Sequence, residues 1–271
     1  MPAATSITPA RLSRRIGLPD APSLIDVRTP EDFAADPRSL PGATRQDFTK
    51  VTAWANEFIG RKTVILCQRG LKLSEGTAAW LRHAGVAAET LVGGFEAWRD
   101  SGGLLLRPDH LPPHEATGHS LWVTRARPKV DRIACPWLIR RFIDPGAVFL
   151  FVAPAETLAV ADRFGATPFD VDGTFWSHRG ERCTFDVMLE EFGLRSPALD
   201  RLALIVRAAD TARLDLAPEA AGLLAASLGL SHMYRDDLVQ LEAGMGLYDA
   251  FYRWARDATA ETHNWPAGKA V

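Results

Sequence analysis

The 271-residue sequence is short of cysteine, with three, and none of them forms a CxxC pair. Three cysteines cannot build a disulfide framework and one must stay unpaired, which points to a reducing compartment, the cytoplasm. Long apolar runs are missing too. No segment approaches the ~18 consecutive apolar residues of a membrane span. The first twenty residues lack the continuous apolar stretch of a secretory signal. Nor is there an excess of one charge: 31 Lys and Arg face 33 Asp and Glu, a net charge of −2. That balance argues against a surface given over to nucleic acid, while leaving room for a local basic face. Internal repeats and low-complexity tracts are absent as well. What remains is ordinary globular material. Its 47% hydrophobic residues supply a core for each of the two domains that the length favours.

The first hundred residues alternate strand and helix signals. Thr8 followed by Pro9 reads as an N-cap and first helical residue, with Leu12 and Ile16 on one face. Apolar runs at 23–27, 63–67 and 90–92 read as buried strands, and 30–35, 51–59, 74–84 and 95–100 as helices. Such alternation predicts an α/β domain over residues 1–105, a mainly parallel sheet flanked by helices. Residues 106–118 hold three prolines and two histidines, His110 and His114, without hydrophobic period, and read as a linker. From 119 to 271 the pattern predicts a helix-rich α+β domain. Strands fall at 121–124 and 147–152, and helices at 199–213, 218–228 and 234–255.

Cys67 ends an apolar strand and precedes a helix. A strand-to-helix turn aims successive backbone N–H groups inward, and the helix N-terminus adds partial positive charge. Both favour a thiolate and any anion beside it. Gly70 permits the tight turn, Arg69 and Lys72 add charge at its rim, and Ser74 is placed to cap the helix. The bland alternative is a buried, inert thiol at a strand end.

These residues sit within a longer pattern. LIDVR at 24–28, PEDF at 30–33 and LPGA at 40–43, then CQRG at 67–70 and LVGGFEAW at 91–98, together resemble a rhodanese domain. The resemblance implies a sulfurtransferase fold in which Cys67 takes sulfane sulfur as a persulfide, with no cofactor required. A small sulfane-sulfur or thiol compound would be donor and acceptor. It also implies that Arg69 and Lys72 assist at the loop formed by Gln68, Gly70, Leu71 and Ser74. Asp26 and Arg28 match the family's supporting strand-end pair. Lys72 stands where the family usually has arginine, keeping the charge but losing the bidentate fork. Leu73 lengthens the loop. The related phosphatases need an arginine at that position, so a phosphatase reading is weak.

The second domain opens on a local charge of +5, six basic residues against Asp131 between 125 and 141. Lys129, Arg132 and Arg140 are the candidates within it for binding an oxyanion. With Pro136 at a helix start, Cys135 would lie at that helix's N-terminus and lean toward thiolate. Further on, His178, Glu181 and Cys183 lie within six residues. With Cys135, and Asp210 as a further ligand, they offer donors for zinc or iron. Each group also has a plain structural reading, as a packed helix with a solvated basic face, a turn histidine and a small core cysteine.

WVTRARPKVDRIACPWLIRRFI at 122–143 is similar to the opening of the C-terminal domain of the chromate-resistance protein B family. The strings PFD at 168–170, HRGERCTF at 178–185, IVRAADT at 205–211, LAPEAAGLL at 216–224, YRDD at 234–237 and LEAGM at 241–245 continue the likeness. It implies a role in chromate resistance, with chromate or a related oxyanion, or a metal, as the species sensed or handled. The family's regulatory members carry a different N-terminal domain. A non-enzymatic chromate-responsive regulator, acting through DNA or a partner protein, is therefore the alternative.

Overall fold

The computed structural model describes residues 5–111 and 118–262. Residues 112–117 of the expected linker, His114 included, lie outside the described residues. The first domain runs β1 (Ser6–Ile7), α1 (Pro9–Ser13), β2 (Ser23–Asp26), α2 (Pro30–Ala35), β3 (Ala43–Arg45), α3 (Val51–Trp54), β4 (Lys62–Leu66), α4 (Lys72–His83), β5 (Ala87–Leu91) and α5 (Gly94–Asp100). Its five strands pair in parallel in the order β1-β5-β4-β2-β3. The central strands β2 and β4 carry adjacent buried apolar residues, Leu24–Ile25 and Val64–Leu66, because helices cover both faces of a parallel sheet. Thr8 and Thr29 each accept a hydrogen bond from the third residue on, with proline next to each cap. Those two helix starts are local chemistry and fall where the sequence puts them.

Three details differ from the sequence reading. The short edge strands β1 and β3 went unanticipated, and β5 begins three residues early. Only the first part of 51–59 is α-helical, tightening to a 3₁₀ turn at Ala55–Phe58. Helix α4 starts at Lys72, so its N-cap is Leu71 and not Ser74. Gly70 in the left-handed region turns the chain so sharply that helical geometry begins two residues sooner.

The second domain comprises β6 (Leu121–Arg125), α6 (Asp131–Leu138), β7 (Val148–Val152), α7 (Thr157–Phe164), β8 (Thr167–Pro168), α8 (Thr184–Phe192), α9 (Pro197–Asp210), α10 (Ala220–Met233) and α11 (Asp237–Asp257). A small parallel sheet, β7-β6-β8, is packed by helices around Trp122, Trp137, Phe142, Phe185 and Tyr248, all fully buried. Helix α6 corrects one expectation. It opens at Asp131, so Pro136 lies inside it and Cys135 is mid-helix. An interior proline has no N–H for the preceding turn, and beyond it the helix widens into a π turn at Ile139–Ile143. None of the helices among the described residues is long and apolar enough to cross a membrane.

The two domains are joined by more than the chain. Leu106 bridges antiparallel to Ser39, and the next residue, Arg107, donates its N–H to the Phe192 carbonyl at 3.0 Å. The Gly42 N–H donates to the Phe142 carbonyl at 2.7 Å. Gly17, with φ +79°, leaves room for the second domain's rings. A Cβ there would stand 2.4 Å from Phe142 and 2.9 Å from Tyr252.

Asp144 anchors the start of β6. Its carboxylate accepts from the Ser120 N–H at 2.6 Å, the Ser120 hydroxyl at 2.7 Å and the Gly146 N–H at 2.9 Å. The Ser120 hydroxyl accepts in turn from the Trp122 indole. Burial alone would raise the Asp144 pKa, but the Ser120 and Gly146 donors outweigh it and hold the carboxyl below its ordinary value. A depressed folded pKa gives stability that is present above the unfolded value and lost as pH falls through the folded one. Asp144→Ala is therefore expected to cost about 3 kcal/mol at neutral pH, with the gap to wild type narrowing in acid, below the ordinary aspartate range. Urea melts at both pH values check this. An equal gap at both would show that the carboxylate's charge is not what holds β6.

Candidate functional site

Cys67 lies directly after β4, buried, with its Sγ 3.3 Å from the Ser74 hydroxyl. Ser74 in turn donates to the Leu71 carbonyl at 3.0 Å, within the first turn of α4. The thiol therefore sits beneath the N-terminus of a twelve-residue helix. The floor of the loop is the start of α5: the Phe95 N–H donates to the Cys67 carbonyl and the Glu96 N–H to the Gln68 carbonyl, both at 3.0 Å. Two left-handed glycines make this approach possible. A Cβ on Gly94 would fall 2.2 Å from the Cys67 carbonyl oxygen, and one on Gly70 would fall 2.6 Å from the Gly94 nitrogen.

Around the rim, Gln68 donates to Glu96 at 3.1 Å, and the exposed Arg69 lies 3.6 Å from the same carboxylate. Lys72 and Leu71 face solvent. Below the loop, Asp26 and Arg28 form a buried ion pair at 2.7 Å. Arg28 also donates to the Asp36 and Arg38 carbonyls and stacks on Phe95, its guanidinium carbon 3.8 Å from the ring centre. The chain thus holds a thiol, a helix N-terminus and two rim cations together, on a base stiffened by Arg28.

A second cluster lies in the other domain. Asp131 opens α6, Asp170 follows β8, His178 lies on the loop before α8, and Asp210 closes α9. The His178 Nε2 stands 3.2 Å from an Asp210 oxygen, 3.4 Å from Asp170 and 3.7 Å from Asp131. Donor atoms of Asp131, Asp170 and His178 all lie within 4.8 Å of one another, a spacing that can hold a metal ion. Asp131 is 1% exposed and caps α8 from a distance, accepting from the Thr184 N–H at 2.7 Å and the Phe185 N–H at 3.0 Å. The other Asp170 oxygen takes Arg125 at 2.9 Å and Arg132 at 3.3 Å. Burial, and then repulsion from Asp210 and Asp170, pushes the Asp131 carboxyl up to about 8. Hydrogen bonding to Asp170 and Asp210 pulls the His178 imidazole up to about 10.

Of the four residues singled out as metal ligands, the structure brings only His178 into this centre. The Cys135 thiol donates to Asp131 at 3.5 Å and the Cys183 thiol to Asp186 at 3.4 Å, while Glu181 is exposed. Burial raises both thiol pKa values, foremost among the causes, so the expected thiolate character of Cys135 is reversed. Asp210 does reach His178. Asp131 and Asp170 carry no local signal of their own: in the sequence one is the single acid of a basic run and the other part of a matching string. Among the basic candidates, Arg132 binds Asp170 and the Arg125 and Ala126 carbonyls, Arg140 pairs with Glu242, and Lys129 is half-buried. His110, from the linker stretch, lies 3.1 Å from Glu191 and packs on Phe175.

Residues 8–101 match the rhodanese-like domain and residues 122–255 match the C-terminal domain of ChrB. The chain joins a rhodanese-like domain to a ChrB C-terminal domain. It is 36% identical over 169 residues to Protein ChrB of Cupriavidus metallidurans, a match that covers 57% of this chain. The chain spans about half the length of that curated relative, 50%. Among solved structures, the rhodanese-like domain is similar to a rhodanese-like domain protein of Staphylococcus aureus. That match has 28% identity over 35% of this chain and 90% of the other, with a TM-score of 0.31. A rhodanese-related protein of Thermoplasma volcanium matches at 20% identity over 37% and 96%, with a TM-score of 0.33. The Cys67 loop falls inside the rhodanese-like domain, and the His178 cluster inside the ChrB domain.

Proposed function

We propose that the rhodanese-like domain is a sulfurtransferase working in chromate resistance, with Cys67 as the sulfur carrier. The observation that carries this reading is the position of the Cys67 Sγ under the α4 N-terminus, with Arg69 and Lys72 at the rim. In the first step the Cys67 thiolate attacks the outer sulfur of a sulfane donor such as thiosulfate. The new S–S bond forms as the donor's S–S bond breaks, giving a Cys67 persulfide and sulfite, which leaves with the bonding pair. An acceptor nucleophile, a small thiol or cyanide, then takes the outer sulfur and returns the thiolate. The first-turn N–H groups of α4 favour the anionic donor and persulfide.

The ChrB domain is the half that senses or handles an oxyanion such as chromate, or a metal, and the reducing cytoplasm suits a protein of free thiols. The regulator alternative is less supported for DNA. Arg125, Arg127, Arg132, Arg140 and Arg141, five of the six cations in the basic run, are paired with Asp170, Asp237, Glu242 or Asp249.

Thiosulfate:cyanide sulfurtransferase assays test the reading. The wild type is expected to form thiocyanate, and Cys67→Ser to lose activity by a factor on the order of 1000. A wild type without activity, or a Cys67→Ser variant as active as wild type, would overturn it.

A further inference from the structure

We propose that Asp131, Asp170 and His178, with Asp210 flanking them, form a binding site for one divalent first-row cation of the manganese(II) or iron(II) class. This deepens the metal-handling reading of the ChrB domain and is independent of sulfur transfer, since Cys67 takes no part in it.

The case begins with the geometry at one atom. Three carboxylate oxygens from three separate elements converge on the His178 Nε2 at 3.2, 3.4 and 3.7 Å. An imidazole nitrogen carries at most one proton and can direct it at one acceptor. A proton there reaches one of them, while the Thr184 N–H and hydroxyl donate to Asp131 and Asp170, so three acidic groups still crowd one small space. A cation at the centre meets the Asp131, Asp170 and His178 donors at once, with the Asp210 carboxylate beside it. With bonds of about 2.1 Å, neighbouring ligand atoms stand roughly 3–3.5 Å apart, which is the spacing found around His178.

The surroundings prepare these groups as ligands. The Asp131 carboxylate is held in place by the two N–H groups at the start of α8. Asp170 is oriented by Arg125 and Arg132 through one oxygen, so that the other faces His178. Such outer partners are what fix ligand direction in metal sites. The donor set decides the class of ion. One imidazole with carboxylate oxygens suits manganese(II) and iron(II), whereas a soft-metal site would use the thiolates. Cys135 and Cys183 are kept as thiols, each donating to a carboxylate. The site is buried on the Asp131 side and open on the other, where His178 is 39% exposed. Water can complete the coordination there.

Manganese(II) is the probe. The full chain, purified without chelator, is titrated with MnCl₂ while free aqueous manganese is followed by EPR, and melting is recorded with manganese and with EDTA. Wild type is expected to bind one ion per chain and to melt higher with manganese. His178→Gln and Asp210→Asn should each weaken binding at least tenfold, with folding verified by circular dichroism. Glu181→Gln, which alters an exposed carboxylate near His178 in sequence, should bind as wild type does. Fewer than about 0.2 ions per chain at saturating manganese would overturn the proposal. So would retained affinity in either folded cluster variant, or an equal loss in Glu181→Gln. Sulfurtransferase activity measured on the same samples reports separately on Cys67, so failure of one reading leaves the other standing.

Discussion

Gly94→Ala is expected to destroy the Cys67 loop, lowering stability by about 3 kcal/mol or more and removing sulfurtransferase activity. The cause is steric and lies in backbone atoms. At φ +60° an alanine is strained before any contact is considered, and its Cβ would be 2.2 Å from the Cys67 carbonyl oxygen and 2.4 Å from the Gly70 nitrogen. Neither neighbour can move alone. The Cys67 carbonyl accepts from Phe95, and Gly70 is itself wedged against Leu91 and Gly93. Relief requires α5 to lift from the loop, which breaks the Phe95 and Glu96 hydrogen bonds that form its floor. Thermal melts and thiocyanate assays on the same variant check both halves. A Gly94→Ala protein within about 1 kcal/mol of wild type would mean that the loop is far softer than its contacts indicate.

Arg28 carries the second large effect. Arg28→Ala should cost about 4 kcal/mol, because breaking a buried pair strands the remaining charge. Arg28 and Asp26 are both fully buried at the side chain. The same substitution leaves the Asp36 and Arg38 carbonyls without their donor and removes the guanidinium from the Phe95 and Phe33 rings. Arg28→Lys is expected to recover less than half of the loss. An ammonium is a point donor that cannot span the Asp26 carboxylate and two carbonyls or lie flat on an aromatic face. Urea denaturation of the two variants decides the matter. Wild-type stability in Arg28→Lys would show that charge alone suffices.

The first domain was largely legible because its information is contiguous. A cap and its proline are neighbours at Thr8–Pro9 and Thr29–Pro30, a buried parallel strand shows adjacent apolar residues, and Cys67 is followed at once by its loop. The start of α4 was misplaced because Ser74 is a good capping residue. The local string could not show that Gly70 turns the chain early, leaving Ser74 inside the first turn beside the thiol. The second cluster was barely legible. Its four members come from a helix start, a strand end, a loop and a helix end, and no spacing rule links them. His178 stands out by its type and Asp210 is named with it, but the other expected donors, Glu181, Cys183 and Cys135, are not the residues that face its ring. Helix α8, whose apolar pattern begins directly after Cys183, is masked in the sequence by the charged string before it. Pro136 misled for a different reason. Proline marks the first turn of most helices that contain it, yet here α6 starts five residues earlier and absorbs the lost hydrogen bond into a wider turn.

Gly17 has a consequence for taking the protein apart. Its missing side chain is the recess into which Phe142 and Tyr252 fit, so the surface of one half is cut to the shape of the other. Any side chain at that position would push the two rings out of it. The halves are therefore not freely exchangeable modules: a graft that keeps this contact has to keep residue 17 a glycine.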